Sequence, residues 1–390
     1  MRSKRIAIAS LSPVLVAFMT SRAIAAGDSG NFIVQLGRDT TSVESYTRTE
    51  NRVEVDQCGR APRLQRRHFV YDYANGALTH FSMVVTPPGE TTPTQVVEST
   101  VAADSMRTET RTLGQPVKRS SVAWPAGTFL VPSASPWSGY ETQIMKLVQS
   151  KSDSLVGSLH FLGAPSSVGV RFRKQTDGTV NVANERGDVL EARVDKTGRI
   201  LAVKPIAGTA QYTVNRVAVL DVNAMAVAFL AREKSGGGLG TLSPRDTVEV
   251  ASGGGAMLWV DYGRPRKRGR VVFGGLVPFG KVWRTGANAA TQFKTDKALD
   301  FGGTVVPAGF YTLWTVPSSA GWKFIVNSET GQWGTAHNSE KDLYTIDMKM
   351  TALPQAVEQF TISVDPTPEG GVLNLDWDTT RASAAFVVKP

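Results

Sequence analysis

Along residues 344–378 apolar and polar side chains trade places at nearly every step. "YTIDMKMT" sets Tyr344, Ile346, Met348 and Met350 against Thr345, Asp347, Lys349 and Thr351. "FTISVD" sets Phe360, Ile362 and Val364 against Thr361, Ser363 and Asp365, and "LNLDWD" sets Leu373, Leu375 and Trp377 against Asn374, Asp376 and Asp378. A period of two gives one core face and one wet face, the mark of antiparallel sheets covered on one side. "FYTLWTV" at 310–316 is apolar on both faces, as a central strand requires. "PAG" at 307–309 and "GG" at 370–371 punctuate the pattern as turns. Residues 242–390 therefore read as a β-sandwich or jelly-roll-like domain.

Before residue 220 the pattern is also β. In "RHFVYDYANGALTHFSMVV" Phe69, Tyr71 and Tyr73 alternate, Asn75-Gly76 supplies a tight turn, and Leu78, His80, Ser82 and Val84 resume the alternation. "TDGTVNVANERGDVLEARVDKTGRILAVKP" reads as a three-strand meander turning at "DG", "RG" and "TG". Two stretches switch to helical spacing. "SGYETQIMKLVQS" from Ser138 puts Tyr140, Ile144 and Leu147 on one face. "DVNAMAVAFLARE" places Val222, Met225 and Phe229 together, with Asp221 at the cap and Arg232 in the last turn. The expectation for this half is an antiparallel sheet or partly open barrel with short helices.

"REKSGGGLGTL" at 232–242 cannot bury enough surface to order itself and reads as a linker. It divides a 390-residue chain, ample for two cores, into domains at 26–232 and 242–390 joined by residues 233–241. Residues 1–25 have a basic start, an apolar run from Ile6 to Met19 and small residues at 23–25: a signal peptide, too short to span a bilayer. The product is expected to be exported, to the periplasm or beyond, and not membrane-spanning. Four of the nine excess positive charges sit in that segment, leaving +5, too mild to imply nucleic acid. Cys58 is the single cysteine, so no internal disulfide can form. Arg60 and Arg63 are placed to lower its pKa, but no motif brings a base beside it, and an inert thiol is the expectation.

From "LSPRDT" at 242–247, through "VDYGRPRKRGR", "FGGLVPFGKVWRTGANAAT", "VPAGFYTLWTVP" and "NSETGQWG", the chain resembles the domain-of-unknown-function family 2911. The resemblance covers about residues 242–390 and implies an exported bacterial protein with a β-rich C-terminal domain. It brings no catalytic residue, cofactor or substrate.

The most specific of these motifs, "GKVWRTGANAAT" at 280–291, concentrates binding chemistry on an expected loop. Arg284 carries a planar donor fork suited to carboxylate or phosphate, Thr285 a hydroxyl, and Asn288 both donors and acceptors. With Trp333 and His337 they form the candidate site for a small anionic or polyhydroxylated ligand, including a glycan. The competing expectation is a structural network in which Arg284 pairs with an internal acid. Six of eight tryptophans follow residue 250, and Trp333 is the one expected to face solvent. The enzyme alternative, a hydrolase of an envelope or extracellular substrate, would use Asp376, Asp378 or His337 as acid–base groups. No metal-ligand spacing, cofactor motif or nucleophile elbow accompanies them. Arg264, Arg266, Lys267, Arg268 and Arg270 form a basic run, expected as a solvated turn between the strands "MLWVDY" and "VVF" and as a contact for an anionic envelope surface.

Overall fold

The structure is a computed structural model and describes residues 28–132 and 136–389. The signal segment at 1–25 lies outside the described residues. Eight strands come first: β1 (Asp28–Leu36), β2 (Asp39–Arg48), β3 (Arg52–Gly59), β4 (Gln65–Ala74), β5 (Ala77–Thr86), β6 (Gln95–Ala102), β7 (Ser105–Thr112) and β8 (Lys118–Ala123). β9 (Thr128–Val131) precedes helix α1 (Trp137–Gln149). Then come β10 (Ser154–Phe161), β11 (Val168–Lys174), β12 (Val180–Asn184), β13 (Val189–Val194), β14 (Ile200–Ala207), β15 (Thr213–Val217) and α2 (Val222–Lys234).

All fifteen strands form one sheet in the order β8-β7-β6-β5-β4-β3-β2-β1-β15-β14-β13-β12-β11-β10-β9. β8 and β9 are its two edges, yet only Trp124–Gly127 separate them along the chain. A link that short reaches at most about 18 Å. The sheet therefore curls until its edges approach across a seam, as a partly open barrel. The expected hairpin is β4–β5, with Asn75 and Gly76 at φ 51° and 73°, and the expected meander is β12–β13–β14. The one parallel pairing, β9 with β10, is bridged by α1.

Helix α1 is fixed over its first two turns by buried acids. Ile144 and Leu147 sit in the core, as their spacing predicts. At the N-terminus the Glu44 carboxylate accepts from the backbone N–H groups of Trp137 and Ser138, both at 2.9 Å. An anion there satisfies otherwise orphaned donors. Burial nevertheless pushes the Glu44 carboxyl up to about 7, against the pull of those hydrogen bonds. One turn on, fully buried Glu141 accepts from Ile200 N at 2.7 Å and pairs with Arg216 and the Tyr46 hydroxyl.

Helix α2 covers the other side of β2 and β3. Asp221 caps it, accepting from Asn223 N and Ala224 N at 2.9 Å. Val222, Ala226 and Phe229 pack on Val43, Leu64 and Cys58. Burial pushes the Cys58 thiol up to about 11, outweighing Arg67, Arg66 and Arg60, which keeps it in the protonated form beneath α2. Arg60 lies 4.7 Å from the Phe229 ring centroid and donates to Gly237 O at 2.9 Å, which anchors the glycine-rich stretch to the first sheet.

The second sheet comprises β16 (Arg245–Ala251), β17 (Met257–Gly263), β18 (Thr291–Thr295), β19 (Leu299–Asp300), β20 (Val305–Val306), β21 (Gly309–Val316), β22 (Trp322–Asn327), β23 (Asp342–Thr367) and β24 (Gly370–Val388). Its order is β16-β17-β18-β21-β22-β23-β24-β19-β20, with "FYTLWTV" inside it as expected. β23 pairs with β22 as far as Met348 and with β24 from Lys349 onward. Its register slips between Ala352 and Thr361, and there it passes from one layer to the next. The core between the layers is aromatic. Trp283 stacks on Trp377 at 5.9 Å, and Phe273 meets Trp322 edge-on at 4.7 Å.

Two local expectations fail. "VVF" at 271–273 is not a strand: Val272 is buried and Val271 is 71% exposed, because left-handed Gly269 and Gly274 coil the chain around them. The polar side of "LNLDWD" is not wet either. Asn374 is buried beside Asp365 and Ser383, and Asp376 beneath the Arg381 fork at 2.6 and 2.7 Å, since neighbouring polar side chains fold over that face. Among the described residues no helix is long and apolar enough to cross a membrane.

Candidate functional site

The segment 280–291 is a loop pinned at both flanks. Trp283 exchanges backbone hydrogen bonds with Thr315 at 2.7 and 2.8 Å, and Gly334 N donates to Asn288 O at 2.9 Å. Thr285 and Asn288 adopt left-handed φ of 52° and 63°, and the Thr291 hydroxyl closes the turn on Thr285 O at 2.8 Å. Between these pins the Arg284 side chain passes over Gly334, where even a Cβ would come within 2.0 Å of Arg284 Cδ. Gly334 is therefore needed for its close approach to the arginine.

Arg284 lines a cleft of about 810 Å³ between the two sheets. One wall is the loop itself, with Trp283 and Asn288, continued by Gly334 and Thr335. The other comes from the first sheet, with Ile206, Thr209 and Tyr212. Lys281 and Arg270 also line it, and no Asp or Glu does. Among the described residues Arg284 forms no ion pair and its side chain no hydrogen bond, and its Nε is buried without a partner. Burial lowers its pKa to about 10, offset in part by the field of Asp188. That carboxylate is engaged elsewhere, accepting from Thr209 N, Ala210 N and Asn184 Nδ2 at 2.5, 2.9 and 3.1 Å. The internal pairing expected of a structural arginine is thus absent. Arg270 donates only to the carbonyls of Lys267 and Arg266, at 3.0 and 2.6 Å.

The five residues of the sequence-derived site do not all meet. Arg284 and the exposed Asn288 share the cleft. Thr285 is fully buried, its hydroxyl 3.3 Å from that of Thr315. Trp333 is 37% exposed beside the cleft lining, its backbone bridged to Ala289. His337 turns away: its Nε2 lies 2.9 Å from Asp342 Oδ1, and its ring stands edge-on to Trp314 at 4.8 Å. Asp376 pairs with Arg381 and Asp378 with Lys267, so neither acid joins His337. Among the described residues no group of three or more His, Cys, Asp or Glu is placed to hold a metal ion.

The basic run is not a solvated turn. Arg264 pairs with Asp246, Lys267 with Asp378, and Arg268, 3% exposed, with Asp39 of β2 at 2.5 Å. Arg268 also has φ 51° and offers its carbonyl to Arg38 N at 2.9 Å, so it ties the two sheets together. Neutralised by partners, these cations have no need of solvent. Of the five, only Arg266 is exposed. Sequence reasoning missed the first-sheet wall of the cleft and Arg270's place in it. It also missed the outer-face pair Trp259 and Phe310, whose rings lie 6.0 Å apart.

A two-layered sandwich joined to a seamed barrel, with a cationic cleft between them, is the class these features define. Residues 243–386 match the family model described as "Protein of unknown function (DUF2911)", the family the motifs resemble. No curated protein and no solved structure gave a match.

Proposed function

We propose that the chain is an exported binding protein that holds a small anionic molecule in the cleft between its two sheets. One observation carries this reading: Arg284 is held in a cleft that contains no carboxylate, with no counter-ion of its own. Enclosing a guanidinium without a partner is costly, and an incoming carboxylate or phosphate would supply the missing charge through a two-pronged hydrogen bond. Arg270 and Lys281 add positive potential, while Asn288, Thr209 and Thr335 offer hydrogen bonds to hydroxyl groups on the same molecule. Export rests on the pattern of residues 1–25. Contact with an anionic envelope surface through the basic run is supported only by Arg266, because Arg264, Lys267 and Arg268 are paired with acids and Arg270 faces the cleft. The hydrolase alternative gains no support from Asp376, Asp378 and His337, each held by a different partner.

The test is a thermal-shift screen of the mature protein against phosphate, citrate, short carboxylates, sugar acids and neutral sugars. A ligand at a hundred times its Kd stabilises the native state by about 2.7 kcal/mol. An anion that raises the melting temperature of the native chain and of Arg284→Lys, but not of Arg284→Gln, supports the proposal. An anion hit that persists unchanged in Arg284→Gln, or a screen in which only neutral sugars act, overturns it.

A further inference from the structure

The barrel seam holds a second cavity, of about 340 Å³ and open at one end. Its walls come from the link that joins the two edges, Trp124 to Leu130, from the β4–β5 hairpin, and from the side of α1 that carries Gly139, Thr142, Gln143 and Lys146. Trp124, Phe129 and Leu78 supply the apolar part of its lining. Asn75, Thr128, Ser138, Thr142 and Gln143 line it as well, and two further polar groups stand beside the rings. The Tyr73 hydroxyl lines the cavity with no hydrogen-bond partner among the described residues, and burial pushes its pKa up to about 12, so it remains a donor. Lys146, an exposed residue in the last turn of α1, makes one hydrogen bond, from its ammonium to Gly76 O at 3.3 Å, and partial burial lowers its pKa. No Asp or Glu lines the cavity. Gly139 of α1 also lines it, and a Cβ built there meets nothing within 4 Å.

A cavity of 150 Å³ accommodates benzene, so this one suits a molecule of about a dozen heavy atoms. We infer that the seam cavity binds a small apolar monocarboxylate, its carboxylate held by Lys146 and the Tyr73 hydroxyl and its hydrocarbon body against Trp124 and Phe129. The charge complement fixes the class: a lysine without an acidic partner at the polar end, with aromatic walls beyond it. This site is separate from the cleft around Arg284 and draws on none of its residues.

Decanoate is the probe, titrated calorimetrically into the full mature chain, with decanol as its neutral counterpart. The native protein is expected to prefer decanoate over decanol about tenfold or more, the scale of a charged hydrogen bond. Lys146→Met should abolish that preference, and Tyr73→Phe should weaken decanoate about fivefold. Gly139→Leu should fill the cavity and remove binding of both molecules while α1 stays folded, since leucine is the better helix former. Arg284→Gln should leave decanoate affinity in the seam unchanged. The inference is overturned if decanol binds as tightly as decanoate, if decanoate binding is absent, or if it survives in Gly139→Leu. Should Gly139→Leu fail to fold, Lys146→Met decides alone: an unaltered preference for decanoate rejects the assignment.

Discussion

The two halves of the chain solve the same problem differently. Both are sheets that must cover one face, but the first encloses a helix fastened by buried charge, and the second fills its space with rings. Around α1, Glu44 receives the helix N-terminus and Glu141 holds Arg216, Tyr46 and the Ile200 amide. In the sandwich, Trp283, Trp322, Trp377, Phe273 and Phe360 interlock with centroids 4.7 to 6.4 Å apart. Hydrogen-bonded charge specifies one orientation of a helix, whereas rings fill volume tightly. The packing also leaves room where it is polar-anchored, and the seam cavity lies in the barrel.

The sharpest way to break the comparison is to remove one partner from the buried charge. Glu141→Gln should cost about 3–5 kcal/mol, as loss of one member of a buried pair does. In hydrogen exchange, β2, β14 and α1 should lose protection while β21–β24 keep theirs. Trp377→Ala should act on the other half alone, costing about 3–5 kcal/mol by opening a cavity beside Trp283 and Phe360. Urea unfolding followed by exchange would show β21–β24 opening first, and equal loosening of both halves would deny their independence.

The pH response separates the halves more finely. The Glu44 carboxyl rises from 4.5 to about 7 on folding, so the folded state holds its proton longer than the unfolded state does. Stability from this group is therefore full below pH 4.5 and declines as pH rises to about 7, by about 3 kcal/mol. Glu44→Gln should flatten that decline in the barrel's unfolding curve and leave the sandwich's curve unmoved. The smallest effect is expected at the cap of α2, where Asp221→Ala should cost about 1 kcal/mol and loosen the packing over Cys58. Accelerated labelling of Cys58 by a thiol reagent would register it.

Much of the fold was legible because it is local. The β4–β5 hairpin, the β12–β14 meander, both helices and the alternation in β23 each rest on a short stretch whose period or turn chemistry speaks for itself. What local pattern could not supply was neighbourhood. Arg381, three residues past "LNLDWD", stands within reach of its acids, but nothing there announces that Asp365 and Ser383 would cover Asn374, or that Asp39 would reach Arg268 across 229 positions. The loop at 280–291 was found because rare side chains cluster there. Its opposite wall, Ile206 to Tyr212, carries no such cluster and becomes part of a site only through the way the sheets meet. The misplacement of His337 has the same origin: its distance from Arg284 depends on the 332–342 turn, which periodicity does not describe.

The near-closure of the fifteen-stranded sheet has a mechanical consequence. A complete ring can dilate only by breaking rungs between strands, but a ring with one gap can breathe there while every rung stays intact. Trp124–Gly127 is the strap across that gap, so its length sets how far the mouth can spread. Shortening the strap would stiffen the barrel, and lengthening it would loosen the seam.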